Sequence, residues 1–303
     1  MAFEDSTPLA SDGGGLLSRF LLERSGLRGV HVRLDEAWRS IRGRSAYPDA
    51  VAGLLGEASA AAALFTGHVK VDGRLSIQLR GSGALRTVFA ECTSAGSLRG
   101  LARFEAPLPE RLDPRHFGAD AMLAITIESS LGENREPQRY QGLVGLDADS
   151  LAAAFEDYFG QSEQLPTRIL LAADGEQACG LILQQLPGAS DDADAWPRAQ
   201  ALFDTLGRDE LLALPAETLL YRLFHEEGVR LVAQKPLRFG CSCSRARVGG
   251  MLISLGRQEA FDSLQDGRVE VICEFCGQHY HFDPVDLEQL FAGGGSGEAG
   301  TLQ

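Results

Sequence analysis

Two close cysteine pairs, Cys241-Ser-Cys243 and Cys273-Glu-Phe-Cys276, are separated by 29 residues near the C-terminal end of the chain, and they restrict what that region can be. Four thiols in two short pairs can converge on one tetrahedral ion, and zinc accepts four thiolates in closed structural sites. The first pair departs from the usual knuckle. One intervening residue in place of two brings its sulfurs close together, which also places them to form a disulfide. Zinc holds its thiols deprotonated, and thiolate is the form an oxidant attacks. The arrangement therefore suits either a zinc knob that staples a small C-terminal unit or a switch that holds metal when reduced and bridges its sulfurs when oxidised. Spacing alone leaves both open.

The rest of the composition narrows the setting. At 303 residues with 44% hydrophobic content, the chain can bury a sizeable core and is expected to form two or three units. A formal charge of −14 argues against a nucleic-acid partner, which needs concentrated basic surface. The opening Met-Ala-Phe-Glu-Asp lacks the order of a signal peptide and no apolar run reads as a membrane span, so a cytoplasmic location and no membrane partner are expected. Thiols stay reduced there, so six cysteines point to metal or redox chemistry more than to structural bridges. Cys92 and Cys179 fall on apolar strands, where a cysteine behaves as an inert small hydrophobe.

Several segments carry a family resemblance. Phe239-Gly-Cys-Ser-Cys-Ser-Arg-Ala-Arg247, Leu255-Gly-Arg-Gln-Glu259, Val269-Glu-Val-Ile-Cys-Glu-Phe-Cys-Gly277 and Tyr280-His-Phe-Asp283 form one set. Glu23-Arg-Ser-Gly-Leu-Arg-Gly29, Tyr47-Pro-Asp-Ala-Val51, Lys70-Val-Asp-Gly73, Gln161-Ser-Glu-Gln-Leu-Pro-Thr167 and His225-Glu-Glu227 form another, in the same order upstream. Together they resemble the redox-regulated heat-shock chaperones of the 33 kDa chaperonin family over nearly the whole chain, the Gly-rich tail excepted. The resemblance implies a non-enzymatic, ATP-independent holdase for unfolded or partly folded proteins. Its four cysteines, Cys241, Cys243, Cys273 and Cys276, would bind Zn2+ in a quiet reduced form. In an active oxidised form they would make disulfides within each pair, and the protein would favour a dimer. Two rivals are a thiol–disulfide oxidoreductase using Cys273 and Cys276, which lacks a βαβ setting here, and a zinc-ribbon adaptor, which would bind one partner in both redox states.

The pattern along the chain predicts an α+β fold: a mainly antiparallel sheet domain packed with helices over 1–186, a helical linker over 187–238, a small four-cysteine zinc domain over 239–292 and a flexible tail over 293–303. Phe20–Leu22 and Val30–Leu34 read as early strands. Leu34 to Ile41 reads as a short helix. Val51 to Phe65 reads as a helix apolar nearly all round, which marks a core element. Asp72-Gly73 predicts a two-residue hairpin joining His68–Val71 to Arg74–Arg80. Further strands are expected at Leu85–Cys92, Leu98–Phe104, Met122–Glu128, Arg139–Leu146, Thr167–Ala172 and Cys179–Gln185. Ser150 or Asp149 is placed to cap a helix running to Phe159. The linker stretch carries apolar stripes from Trp196 to Phe224 that must bury on something, as a closed cover on the sheet domain or, released, as a surface for other proteins' apolar segments. His279 and His281 stand behind Cys276, but their alternation with Tyr280 and Phe282 along a strand speaks against ligation.

Overall fold

A computed structural model of the chain describes residues 14–69, 72–108, 112, 114, 117–118, 120–129, 138–188 and 192–293. They divide into two units, Met1–Gly240 and Cys241–Gln303. The architecture is α+β.

In the first unit, β1 (Gly15–Leu22) and β2 (Leu27–Leu34) pair antiparallel across a turn in which Gly26 takes φ +65°. The short helix α1 (Glu36–Arg42) follows, and then α2 (Asp49–His68). Pro48 precedes α2 where a missing N–H costs nothing, and Asp49 sets a carboxylate at the positive end of the helix dipole. Fifteen of its twenty residues are buried, because sheets pack on it from two sides. Ser59 and Thr66 stay buried by returning their hydroxyls to the Leu55 and Ala62 carbonyls at 2.7 Å. By length and composition α2 is apolar enough to cross a membrane, contrary to the expectation from apolar runs, and here 78% of that window is buried as the core helix.

One sheet runs through β3 (Gly73–Arg80), β4 (Leu85–Thr93), β5 (Ser97–Phe104), β6 (Met122–Ser129) and β7 (Gln138–Val144). The hairpin expected at Asp72-Gly73 does not form. His68 belongs to α2, Lys70 and Val71 lie outside the described residues, and β3 pairs with β4 on one side and β6 on the other. Gly73 is instead required by a close approach: at φ +151° a Cβ there would strike the Glu128 carbonyl. The DG signal marked a helix-to-strand entry with a glycine-only backbone, which looks the same in sequence.

The helix α3 (Leu151–Ser162) is capped by Ser150, whose Oγ accepts from the Ala153 N–H at 3.3 Å. Two strands, β8 (Thr167–Ala173) and β9 (Ala178–Gln185), then form a hairpin. The stretch read as a linker supplies α4 (Ala195–Phe203), α5 (Arg208–Ala213), α6 (Ala216–Phe224) and two strands, β10 (Val229–Pro236) and β11 (Arg238–Phe239). The second sheet therefore has the order β10-β1-β2-β9-β8, and β11 closes the first as β11-β5-β4-β3-β6-β7, joined parallel to β5 and otherwise antiparallel.

The α4–α6 helices are docked. Phe203, Leu211, Leu219, Leu220 and Phe224 bury against Phe20, Leu22, Leu27, Leu181 and Leu183 of the five-stranded sheet, on the face away from α2. Arginines stitch the edges of this cover. Arg33 donates to the Leu212 carbonyl at 2.7 Å, Arg168 joins Glu156 and Asp204, Arg198 joins the buried Glu227, and Arg208 reaches Glu57 and the Leu171 carbonyl. Glu227 is held below the usual carboxylate range by its bond from Arg198, against the opposing effect of burial. Cys92 and Cys179 are buried, and burial pushes their thiols up to about 11 and about 12, which leaves them unreactive near neutrality.

The second unit holds α7 (Arg245–Leu255), α8 (Arg257–Asp262), the antiparallel pair β12 (Val269–Ile272) and β13 (His279–Phe282), and α9 (Pro284–Gly293). Its fully buried apolar core is Val248, Leu252, Ala260, Val269, Phe282 and Leu287.

Two predictions follow from the packing around α2 and β2. Gly53 and Gly56 lie one turn apart on α2. A Cβ at Gly53 meets nothing within 4 Å, whereas at Gly56 it collides with the Ala173 Cβ and presses the Trp38 ring at 3.1 Å. Gly53→Ala should stabilise by about 0.5–1 kcal/mol and Gly56→Ala destabilise by about 1–3 kcal/mol, read from urea unfolding by the fluorescence of Trp38 and Trp196, both in this unit. Buried His31 and His68 are held down to about 4, by burial first and then by Arg33 and Arg28 respectively. Their unfolded forms protonate near 6.5, so their contribution to stability is intact above that pH and is lost as pH falls from about 6.5 to about 4, at about 1.4 kcal/mol per pH unit for each. His31→Asn should flatten the measured slope over that range, and an unchanged slope would contradict the assignment.

Candidate metal centre

Each cysteine pair is delivered by a different local device. Cys241 and Cys243 occupy the extended stretch ahead of α7, whose Ser244 cap accepts from the Arg247 N–H at 3.2 Å. Cys273 and Cys276 lie in the tight turn after β12, closed by Gly277 N–H to the Cys273 carbonyl at 2.7 Å and Cys273 N–H to the Gln278 carbonyl at 2.9 Å. Gly277 has φ +70°, a conformation that only glycine adopts without strain. Arg245 ties the start of α7 to the rest of the unit by donating to the His281 carbonyl at 2.6 Å, pairing with Asp286 at 2.8 Å and lying 4.3 Å over the Phe282 ring.

The four sulfurs expected from sequence come together, all within 4.8 Å of one another, and the group can hold a metal ion. Cys241 and Cys273 are 3.6 Å apart and Cys243 and Cys276 3.3 Å apart. Four thiolates at about 2.3 Å from a central zinc would sit about 3.8 Å from one another, so the donor set matches a tetrahedral thiolate site with small adjustments. All four are half-buried, open to small solutes yet shielded enough to favour a bound dication.

The histidines point elsewhere. His279 Nδ1 lies 2.8 Å and His281 Nδ1 3.7 Å from the Glu270 carboxylate on the neighbouring strand. The same alternation sends Tyr280 to the opposite face, where its hydroxyl donates to Cys243 Sγ at 3.1 Å. This contact was not anticipated, although the period of two along β13 carries the signal. Burial opposes ionisation of Cys243, but the hydrogen bond from Tyr280 and those with the neighbouring sulfurs outweigh it and bring this thiol down to about 7. Burial pushes Cys276 up to about 12 and raises Cys241, with neighbouring thiols adding to the effect. One thiol thus ionises readily, while Cys241 and Cys276 resist adding negative charge beside it unless a cation shares the space.

Comparison with known proteins comes to the same region of protein space. A family model described as Hsp33 protein matches residues 15–283. The 33 kDa chaperonin of Ectopseudomonas mendocina is 46% identical over 286 residues, covering 92% of this chain and 95% of its own. That of Chromobacterium violaceum is 42% identical over 276 residues, covering 91% and 93%. The crystal structure of the 33 kDa chaperonin (heat shock protein 33 homolog) from Thermotoga maritima superposes with a TM-score of 0.75 at 22% identity, over 93% of this chain and 99% of that one, which supports the fold.

Tyr280→Phe removes the hydroxyl from Cys243 and should weaken zinc binding by about tenfold in competition with a chromophoric chelator at pH 7. An unchanged affinity would mean that the hydroxyl does not support the thiolate.

Proposed function

The chain belongs to the Hsp33 family of chaperones, and on that premise we propose that it is a redox-regulated, ATP-independent holdase, quiet with zinc on its four thiolates and active once they are oxidised. The observation that carries this reading is the convergence of Cys241, Cys243, Cys273 and Cys276 in a unit whose core, among its described residues, has six buried apolar side chains. Bound zinc would keep the four sulfurs as thiolates and supply folding free energy, on the order of 10–16 kcal/mol in small peptide sites. That is comparable to the whole stability of a small domain, so the sulfurs would act as the keystone of the unit.

The remaining steps use residues of the chain itself. A thiolate sulfur attacks peroxide, giving a sulfenic acid and hydroxide; the neighbouring thiol displaces water from it and a disulfide forms. On this reading the bridges are Cys241–Cys243 and Cys273–Cys276. Sulfurs tied in bridges no longer serve as metal ligands, and the second unit loses its keystone. Only Gly240 separates β11 from Cys241, and β11 is held by a two-residue parallel pairing and the Gly240 N–H bond to the Leu98 carbonyl at 2.8 Å. Loss of order at Cys241 therefore reaches β11 and then β10, the strand that follows the α4–α6 cover. Release of that cover exposes the apolar faces of Phe203, Leu211, Leu219, Leu220 and Phe224 together with the sheet they hide, a surface suited to unfolded clients and to a second copy in an oxidised dimer. The reading places the protein in the reducing cytoplasm, away from membranes and nucleic acid.

The deciding experiment measures zinc content and suppression of aggregation of a chemically denatured client, before and after peroxide with mild heat. Zinc should leave and suppression should appear together. Cys273→Ser should weaken zinc binding by on the order of 100-fold or more and uncouple suppression from peroxide. Zinc loss without any gain in suppression would reduce the centre to a structural clip, and turnover of small disulfide substrates would favour an oxidoreductase instead.

A further inference from the structure

Away from the cysteines, a cavity of about 170 Å3 opens between β1, β2, β10 and the C-terminal end of α2. It exists because β10 leaves its ladder there. Arg19 pairs with Ala233 and Phe20 with Leu231, so Val232 is an extra residue forming a bulge, and its side chain is 48% exposed. Bulges redirect side chains and recur beside binding sites. The period-two rule puts Arg19 and Leu21 of β1 on the same face as Arg28 and Val30 of β2, since Arg19 lies opposite Val30 and Leu21 opposite Arg28. All four line the cavity, with His68 and Val232.

The charge arrangement here runs against the rest of the chain. Arg28 is fixed from below: its Nε and Nη2 donate to Gln184 Oε1 at 3.2 and 2.7 Å. His68 Nε2 lies 2.9 Å from Gln184 Oε1 and 3.2 Å from Arg28 Nη2, so the imidazole shares this cluster with the guanidinium. The Glu163 carboxylate meets Gln184 Nε2 at 3.4 Å and forms no ion pair with Arg28. Among the described residues Arg19 has no hydrogen-bond or ion-pair partner, and its charge opposes those of Arg28 and His68. In a protein of net charge −14, two guanidiniums line one hollow that carries no carboxylate in its wall; the Glu163 charge reaches Arg28 only from outside the lining, and Phe20, Leu21, Val30 and Val232 supply the apolar surface.

We infer that this cavity is a binding site for a small organic carboxylate, its carboxylate held between the Arg19 and Arg28 guanidiniums and its apolar body against Leu21, Val30 and Val232. Arginine suits the charged end because its planar fork donates in parallel to two carboxylate oxygens. The volume sets the body: an apolar cavity of about 150 Å3 admits benzene, so a benzoate-sized ligand fits. Inorganic phosphate offers the charge without the apolar body and gains nothing from the walls. A ligand that bridges β1 and β2 to the Val232 bulge also holds β10 in its sheet. The binding claim is independent of the chaperone reading.

The test uses the reduced, metal-loaded full chain and titration calorimetry at fixed ionic strength with benzoate, benzyl alcohol and inorganic phosphate. Benzoate should bind with a Kd of about 1 mM or tighter, and benzyl alcohol and phosphate at least tenfold more weakly. Arg19→Gln, at an exposed position, should weaken benzoate at least tenfold, and Val232→Trp should fill the cavity and abolish binding, both with unchanged thermal unfolding in the absence of ligand. Amide exchange across Val229–Pro236 should slow on benzoate addition in the wild type alone. The inference is overturned by no benzoate binding at 20 mM, by equal binding of benzyl alcohol or phosphate, or by benzoate affinity that survives both substitutions.

Discussion

The second unit rests on a shortage. Among its described residues Val248, Leu252, Ala260, Val269, Phe282 and Leu287 are the buried apolar set, with Phe261, Leu264, Val271, Tyr280, Leu290 and Phe291 partly buried against them, a small core of the size that metals or disulfides usually supplement. Hydrogen bonds such as those of Arg245 orient its pieces, but exposed contacts of this kind add little net stability. On the proposed reading, a metal held by the four sulfurs would supplement this core. The atoms best suited to do so as metal ligands are also the atoms most open to oxidation, so strength and vulnerability share one location. A larger core would make the same cysteines a redundant staple.

The first unit shows the opposite balance on one face and a similar one on the other. Two sheets enclose α2, and no plausible local event opens that interior. The outer face of the five-stranded sheet is covered by three short helices whose buried side chains contribute on the order of 10 kcal/mol as an upper estimate. That is comparable to the free energy a thiolate metal site supplies. The cover's polar edge is made of arginine bridges to carboxylates and carbonyls, several of them half-exposed and screened by salt. His31 lies in β2 directly opposite Ser18 of β1, buried and uncharged, so this face tolerates little protonation. An element held this way can dock firmly at rest, and on the proposed reading an input of the size a thiolate metal site supplies would be enough to release it.

Much of this was legible in the sequence because the signals were local. Ser150 capped its helix, the Ala/Leu run became the central helix, and the cysteine spacing predicted their convergence. The failures share a cause. Asp72-Gly73 carried the local chemistry of a hairpin, but the need for glycine came from Glu128, 55 positions away on a strand no turn signal connects to it. The fate of Val229–Pro236 was equally non-local: its alternation fits a strand, yet its partner is β1 at the other end of the unit. Tyr280 was readable in principle from the period of β13, but its role depends on where Cys243 sits in three dimensions.

The connectivity of the bridges decides which way oxidation pushes. In the folded cluster the Cys241 and Cys273 sulfurs are 3.6 Å apart and the Cys243 and Cys276 sulfurs 3.3 Å apart, and these partners are 32 and 33 residues apart in sequence. Bridges along those lines would restrict the unfolded chain and staple the unit shut. Bridges within Cys241–Cys243 and Cys273–Cys276 close loops too short to oppose unfolding, while removing all four ligands. Neighbours in sequence stay neighbours when the unit loosens, whereas cross-pair partners separate. On the proposed reading, a unit with so small a core would loosen once one sulfur is oxidised, and the small core itself would then steer the chemistry toward the bridges that leave the unit open.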